Sequence, residues 1–376
     1  MNAAQTVIDL DDTEGLLGAD RDGLLRAASM AGAHVRAVAA ALDEGALDSL
    51  RGGDRPRTVI WVAGRGAAEA AGTMLAATAG GSALAPIVIA AEAPPWIGPL
   101  DVLIVAGDDP GDSALVGAAA SGVRRGARVV IAAPYEGPLR DITAGRVAVM
   151  EPRLPIVGDL GLCRYLAVGL AVLESVDPRL RVDLAALADE LDAEALRNSA
   201  SREIFTNPAK ALVERMSRRR VVFVGDCAAT LALARHGSGV LLRAANEVAA
   251  ATGLADALTA LRTGPGTAFV DPAEALFHDE EIDGPITDRL RIVVLTLDAE
   301  RAVVASRVDG FGDIDVVGAE DVPAEDVPAE DVPAEDVSHA PVVRSARPGA
   351  QRAEQQLAVL AVRLEMAAVY LRLVRG

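Results

Sequence analysis

The chain has 376 residues, 51% of them hydrophobic and only 3% aromatic, with a formal net charge of −18 and a single lysine, Lys210. That length allows two domains of ordinary size, with cores of Ala, Val, Leu and Ile that need neither metal nor disulfides. The acidic balance excludes nucleic acid as a partner, because phosphate backbones are repelled. No apolar run approaches the ~18 residues that span a bilayer, which excludes a membrane protein.

Met1 to Asp12 lacks the basic-then-apolar pattern of a signal peptide. Cys163 and Cys227 are too few for a disulfide framework, and neither lies in a Cys-x-x-Cys pair. Both facts point to a reducing cytoplasm. Arg21 to Leu42 carries Leu24, Leu25, Ala28, Met30, Val35 and Val38 at helical spacing, so residues 1–45 read as an N-terminal helical segment.

Val59-Ile60-Trp61-Val62-Ala63-Gly64 is a short apolar run that stops at glycine, the pattern of a parallel strand buried on both faces. Strands are expected at Thr58–Ala63, Pro86–Ala90, Asp101–Ala106, Ala127–Ala132 and Arg146–Val149, with helices at Gly66–Ala79 and Ser113–Arg125 between them. Helices follow at Gly158–Val176 and Leu184–Asn198, the second capped by Asp183. A first αβα domain is expected over 46–182.

The second domain is expected over 183–318 and repeats the pattern. Asn207 caps a helix with Pro208 at its first position. Val221-Val222-Phe223-Val224-Gly225 duplicates the first strand signal. Helices are expected near Ala228–Arg235, Val240–Ala251 and Ala299–Val308, and strands at Thr267–Val270, Arg291–Leu297 and Ile314–Val317. The fold class is therefore α/β, with two αβα sandwiches on doubly wound, parallel, five-stranded sheets. Ligands of such sheets bind at the strand C-termini.

Residues 319–348 contain the recurring unit Ala-Glu-Asp-Val-Pro. Proline every five residues forbids a helix, and the acidic charge without large side chains forbids a core, so a solvated linker is expected. Residues 349–376 form a C-terminal helix with Leu357, Leu360, Leu364, Met366, Ala368, Leu371 and Leu373 on an apolar face. It is too apolar to stand free and must dock on a domain or a partner subunit.

Several residues stand out as chemistry. Gly64-Arg65-Gly66 follows the first strand, but Glu69 replaces the third glycine of a dinucleotide fingerprint. A tight turn that leaves helix N–H groups for some anion is the alternative. Gly107-Asp108-Asp109-Pro110-Gly111-Asp112-Ser113 follows the third strand, and its aspartates repel phosphate. Asn246-Glu247 reads as mid-helix in an apolar stretch, where a carboxylate is costly unless exposed or functional. His278 lies between two strands, and an acid and a histidine can share proton transfers. Arg153 follows the last strand of the first unit.

In order, these pieces resemble the bifunctional phosphoglucose/phosphomannose isomerases, which are built from two sugar-isomerase (SIS) domains; the likeness is to a divergent, actinobacterial-type member. Pro152-Arg153, Asn207-Pro208-Ala209-Lys210, Asn246-Glu247, His278-Asp279 with Glu281-Ile282 and Gly284, and Ala368-Val369-Tyr370-Leu371 look like that family's motifs. The resemblance implies aldose–ketose isomerisation of glucose 6-phosphate or mannose 6-phosphate with fructose 6-phosphate. It assigns Glu247 as base, His278 to ring opening and Arg153 to the enediolate. Gly64, Arg65, Gly66, Ser113 and Lys210 are the candidates for substrate and phosphate binding. It further implies a homodimer, with no cofactor and no metal.

The departures from that family are specific. The family's hydroxyl-rich phosphate loop is Gly107 to Ser113 here, and Ala249, Ala250 and Ala251 stand where a lysine is expected. A second reading is therefore a catalytically degenerate SIS protein that binds a carbohydrate derivative or partners an enzyme of sugar metabolism.

Overall fold

The computed structural model describes residues 8–158, 160–217, 219–263, 290–321 and 352–375. The expected strand Thr267–Val270, His278 and most of the repeat lie outside the described residues.

The chain opens with helices α1 (Thr13–Ala19), α2 (Leu24–Ser29) and α3 (Ala31–Asp43). The single helix expected over Arg21–Leu42 is thus broken at Met30, which links α2 to α3 with non-helical backbone. The first sheet has strands β1 (Thr58–Ala63), β2 (Ile87–Ala90), β3 (Asp101–Ala106), β4 (Arg128–Ala132) and β5 (Ala148–Val149). Their order is β2-β1-β3-β4-β5, all parallel. Helices α4 (Ala67–Ala79), α5 (Ser113–Arg124) and α6 (Gly137–Thr143) cross between them. Two further helices, α7 (Leu162–Val176) and α8 (Leu184–Arg197), lead on; Asp183 caps the second by accepting from Ala186 N at 2.8 Å.

The second unit begins with α9 (Pro208–Met216), capped by Asn207, whose side chain accepts from Lys210 N at 3.0 Å. Its sheet has β6 (Arg220–Gly225), β7 (Ala250–Gly253), β8 (Leu290–Leu295) and β9 (Ile314–Val317), in the parallel order β7-β6-β8-β9. It has four strands among the described residues, against the five expected. Helices α10 (Ala228–Ala245), α11 (Leu254–Thr263) and α12 (Asp298–Val308) complete it. Both sheets are parallel and covered by helices, an α/β architecture of two αβα units.

Strand alternation explains the layering. Val59 and Trp61 of β1 point to one core and Ile60 and Val62 to another. The inner core is shared by the two units, because α4 packs on α10 across their boundary. Fully buried Trp61 fits there because α4 and α7 face it with glycines. A Cβ at Gly72 would meet the indole at 2.5 Å, and one at Gly169 would meet it at 3.0 Å. Gly72→Ala gains helix propensity of up to about 1 kcal/mol, but overpacking costs about 1–3 kcal/mol. We expect a net loss of stability in urea titration; a stabilised variant would contradict this packing.

The C-terminal helix α13 (Ala353–Arg375) docks within its own chain. Every residue from Gln356 to Leu371 is buried, among α10, α9, α8, α7 and α2. A helix buried on every side belongs to the core, and this one is the spine shared by both units. The linker expected over 319–348 needs correction at its start. Ala319 is buried, its carbonyl accepts from Arg363 Nη2 at 3.1 Å, and Asp321 pairs with Arg301 at 2.6 Å. These first residues of the repeat belong to the folded unit.

Candidate ligand-binding crevice

Strand order reverses between β1 and β3; in such sheets the crevice beside this switch point, at the strand C-termini, is the usual ligand position. Its two lips are Gly64–Gly66 and Gly107–Asp112. They lie side by side, with Gly64 N donating to Ala106 O at 3.0 Å. Gly66 caps α4 with φ of 62°, a backbone that glycine adopts without strain. A Cβ at Gly107 would meet the Leu115 side chain at 2.6 Å, so a larger residue there would require that leucine to shift. Arg65 and Ser113 are exposed on these lips, beside Gly64 and Gly66.

The aspartates of the second lip are engaged. Asp109 accepts from Gly111 N and Asp112 from Ala114 N, each at 2.8 Å. Asp108 accepts from the hydroxyl of Tyr165, which is fully buried in α7. Beside it Arg164, only 2% exposed, reaches the carbonyls of Met150 and Ala132, past the ends of β5 and β4. Its guanidinium lies 5.1 Å from the Tyr165 ring centroid. Burial lowers the pKa of Arg164, against the opposing influence of Tyr165, Asp108 and Glu151. His34 of α3 is buried as well, and burial, then the Arg164 charge, hold its pKa down.

Sequence reasoning missed this group. Asp108 was read as one of three phosphate-repelling aspartates, and Arg164-Tyr165 was not singled out. The available signal was an arginine and a tyrosine inside the otherwise apolar stretch Leu162–Leu173.

The residues assigned by resemblance are dispersed among other partners. Arg153 is exposed and makes a bidentate pair with Glu44, at the end of α3, at 2.8 and 2.5 Å. That hydrogen-bonded pair raises the arginine and lowers the carboxylate. Glu247 is not mid-helix, as its apolar surroundings suggested. Helix α10 stops at Ala245 because Asn246 adopts a left-handed conformation, φ 52°, a common way to end a helix. Glu247 is half-buried in the turn before β7 and is ion-paired with Arg375 of α13.

Lys210 is 1% exposed at its side chain, and its ammonium donates to Ala200 O at 2.9 Å and Arg202 O at 2.7 Å, over the Tyr370 ring. Burial lowers its pKa, with Asp11 and Asp9 opposing. The phosphate-binding assignment therefore meets a lysine already committed to holding loop carbonyls against α9 and α13. His278 lies outside the described residues.

Two cavities open elsewhere. One of 460 Å³ is lined by Phe205, Pro208, Val316 and Arg363, and one of 370 Å³ by Leu170, Arg179 and Arg352; neither touches any of the eight assigned residues. Among the described residues no three His, Cys, Asp or Glu side chains converge as a metal site. Among them, too, no helix is long and apolar enough to cross a membrane.

No protein-family model matches the chain, and no curated protein matches it. Solved structures do. Tagatose-6-phosphate ketose/aldose isomerase from Escherichia coli is similar with a TM-score of 0.58 at 14% identity, over 100% of this chain and 95% of that one. Glucosamine-6-phosphate deaminase from Thermotoga maritima is similar with 0.58 at 8% identity, over 96% and 95%. The C-terminal domain of glucosamine-fructose-6-phosphate aminotransferase from Francisella tularensis is similar with 0.57 at 10% identity, over 95% and 98%. The chain thus shares a whole-length, SIS-like double αβα fold with proteins of sugar-phosphate chemistry. At such identities the likeness is one of fold.

Proposed function

We propose that this chain is a double SIS protein that binds a carbohydrate derivative in the β1/β3 crevice, without the hexose-phosphate isomerase activity of the family it resembles. One observation carries the reading: Arg153 and Glu247, the cation and base of the isomerase assignment, are ion-paired with different helices, α3 and α13. Enediolate chemistry requires base and cation around one substrate carbon pair. Homodimerisation and a cytoplasmic location belong to the same proposal.

Isomerisation of glucose or mannose 6-phosphate with fructose 6-phosphate is the second reading. It is favoured by the exposure of these ion pairs, Glu44 at 62% and Arg375 at 42%. Exposed pairs are weak and screened by salt, so a substrate could displace them. A coupled assay for glucose and mannose 6-phosphate formation from fructose 6-phosphate separates the two. We expect no turnover by the folded wild type. Turnover that disappears in Glu247→Gln would establish the isomerase reading instead.

A further inference from the structure

We infer that the β1/β3 crevice recognises the hydroxyl groups of a sugar rather than its phosphate, with Asp108 as the specificity-determining carboxylate and Tyr165 as the residue that positions it. The inference rests on the sugar-binding reading above and adds the chemical class of ligand.

Asp108 is exposed directly after β3, a strand buried at every position, at the C-terminal end where the switch point lies. Its Oδ1 takes the hydroxyl of Tyr165, a side chain with no exposure of its own, 57 residues along the chain. A flexible surface carboxylate is thereby held in one orientation by a donor from the core. Such pre-organisation lowers the entropic cost of binding. An ionised carboxylate has about four lone-pair sites, and the tyrosine hydroxyl uses one. Further acceptor capacity suits hydroxyl donors.

The same lip is poorly suited to phosphate. Phosphate sites in such loops use free N–H groups. Here the N–H groups of Gly111 and Ala114 are already taken by Asp109 and Asp112. A phosphate would have to displace two carboxylates and face a third. Arg164, the buried cation packed on Tyr165, is already committed to Ala132 O, Met150 O and the Tyr165 side chain. It supports the tyrosine ring and offsets the Asp108 charge from within.

Titration calorimetry on the full chain tests this with D-fructose, D-glucose, their 6-phosphates and inorganic phosphate. The neutral sugars should bind at least as tightly as the 6-phosphates, and inorganic phosphate should not compete. Asp108→Asn should weaken neutral-sugar binding tenfold or more and shift preference toward the 6-phosphates. Tyr165→Phe should cost several-fold in the same direction. That change of ligand ranking is a readout that a purely structural tyrosine would not move; unchanged thermal unfolding of Asp108→Asn guards against misfolding. A wild type that binds 6-phosphates tenfold tighter, with competition by phosphate, overturns this inference alone. So does an Asp108→Asn variant with unaltered ranking. Binding of neither sugar class overturns the sugar-binding reading along with it.

Discussion

A chain ending at residue 351 should lose its cooperative fold. Helix α13 fills the space between the two units, and from Gln356 to Leu371 it has no exposed residue. Leu357, Val359, Leu360, Val362, Leu364, Met366, Val369 and Leu371 are all buried. At about 1.5–3 kcal/mol each, these eight side chains represent roughly 12–24 kcal/mol of burial, as an upper bound. A whole protein is stable by only about 5–15 kcal/mol. Loss of the helix also strips apolar cover from α10, α9, α8 and α7. Calorimetry and near-ultraviolet circular dichroism of the truncated chain should show no sharp transition, and a synthetic 352–376 peptide added in trans should restore one. A truncated protein that melts cooperatively near the wild-type temperature would show that the two units stand without their spine.

The second large effect is expected at one ion pair on that spine. Arg363 is 1% exposed, and its Nε donates to Glu194 Oε1 at 2.8 Å. Its other nitrogens hold Gly318 O at 2.9 Å and Ala319 O at 3.1 Å, so one guanidinium joins α8, α13 and the end of β9. Arg197 and the Asn198 side chain complete the shell around Glu194. Arg363→Ala leaves Glu194 with less compensation in the core and should cost about 3–5 kcal/mol in urea titration. The double replacement Glu194→Leu with Arg363→Met should recover most of that loss, because a buried pair contributes little against a well-packed apolar substitute. Equal losses in the single and double variants would mean that packing, not charge, is what Arg363 provides.

The pH dependence of this pair has a definite sign. Burial pushes Glu194 up, but the charge and hydrogen bonds of Arg363, with Arg197 and Asn198, outweigh it and hold its pKa below the usual carboxylate range. A depressed folded pKa means that the unfolded chain takes up the proton first as pH falls. The contribution of the pair is therefore complete at neutral pH, above the unfolded value. It is lost as acid brings the pH down through the lowered folded value.

Local sequence signals identified the elements that local physics controls. The runs Val59–Ala63 and Val221–Gly225 became interior strands of their sheets, because short apolar β-forming runs are stable only where both faces are covered. Asn207-Pro208 started α9, and Asp183 started α8, through side chain to backbone bonds that span three residues. Ile314–Val317 was read with the boundaries the strand has.

Other features depended on contacts that no short window contains. The end of α10 turned on the left-handed backbone of Asn246, one residue that hydrophobic periodicity runs straight through. Lys210 is a phosphate-binding candidate by resemblance, yet loop carbonyls and the Tyr370 ring enclose it in the fold. Asp108 and Tyr165 meet only because β3 and α7 converge at one end of the sheet.

The sequence by itself determined two αβα units, their main strands and helix caps, and a C-terminal helix too apolar to stay in water. These follow from propensity, hydrophobic period and side chain to backbone bonds a few residues long. Only the tertiary structure decided where that helix lies, which carboxylate the crevice presents, and which charges are already paired. Those outcomes depend on distances between residues tens to hundreds of positions apart, which are set when the layers pack.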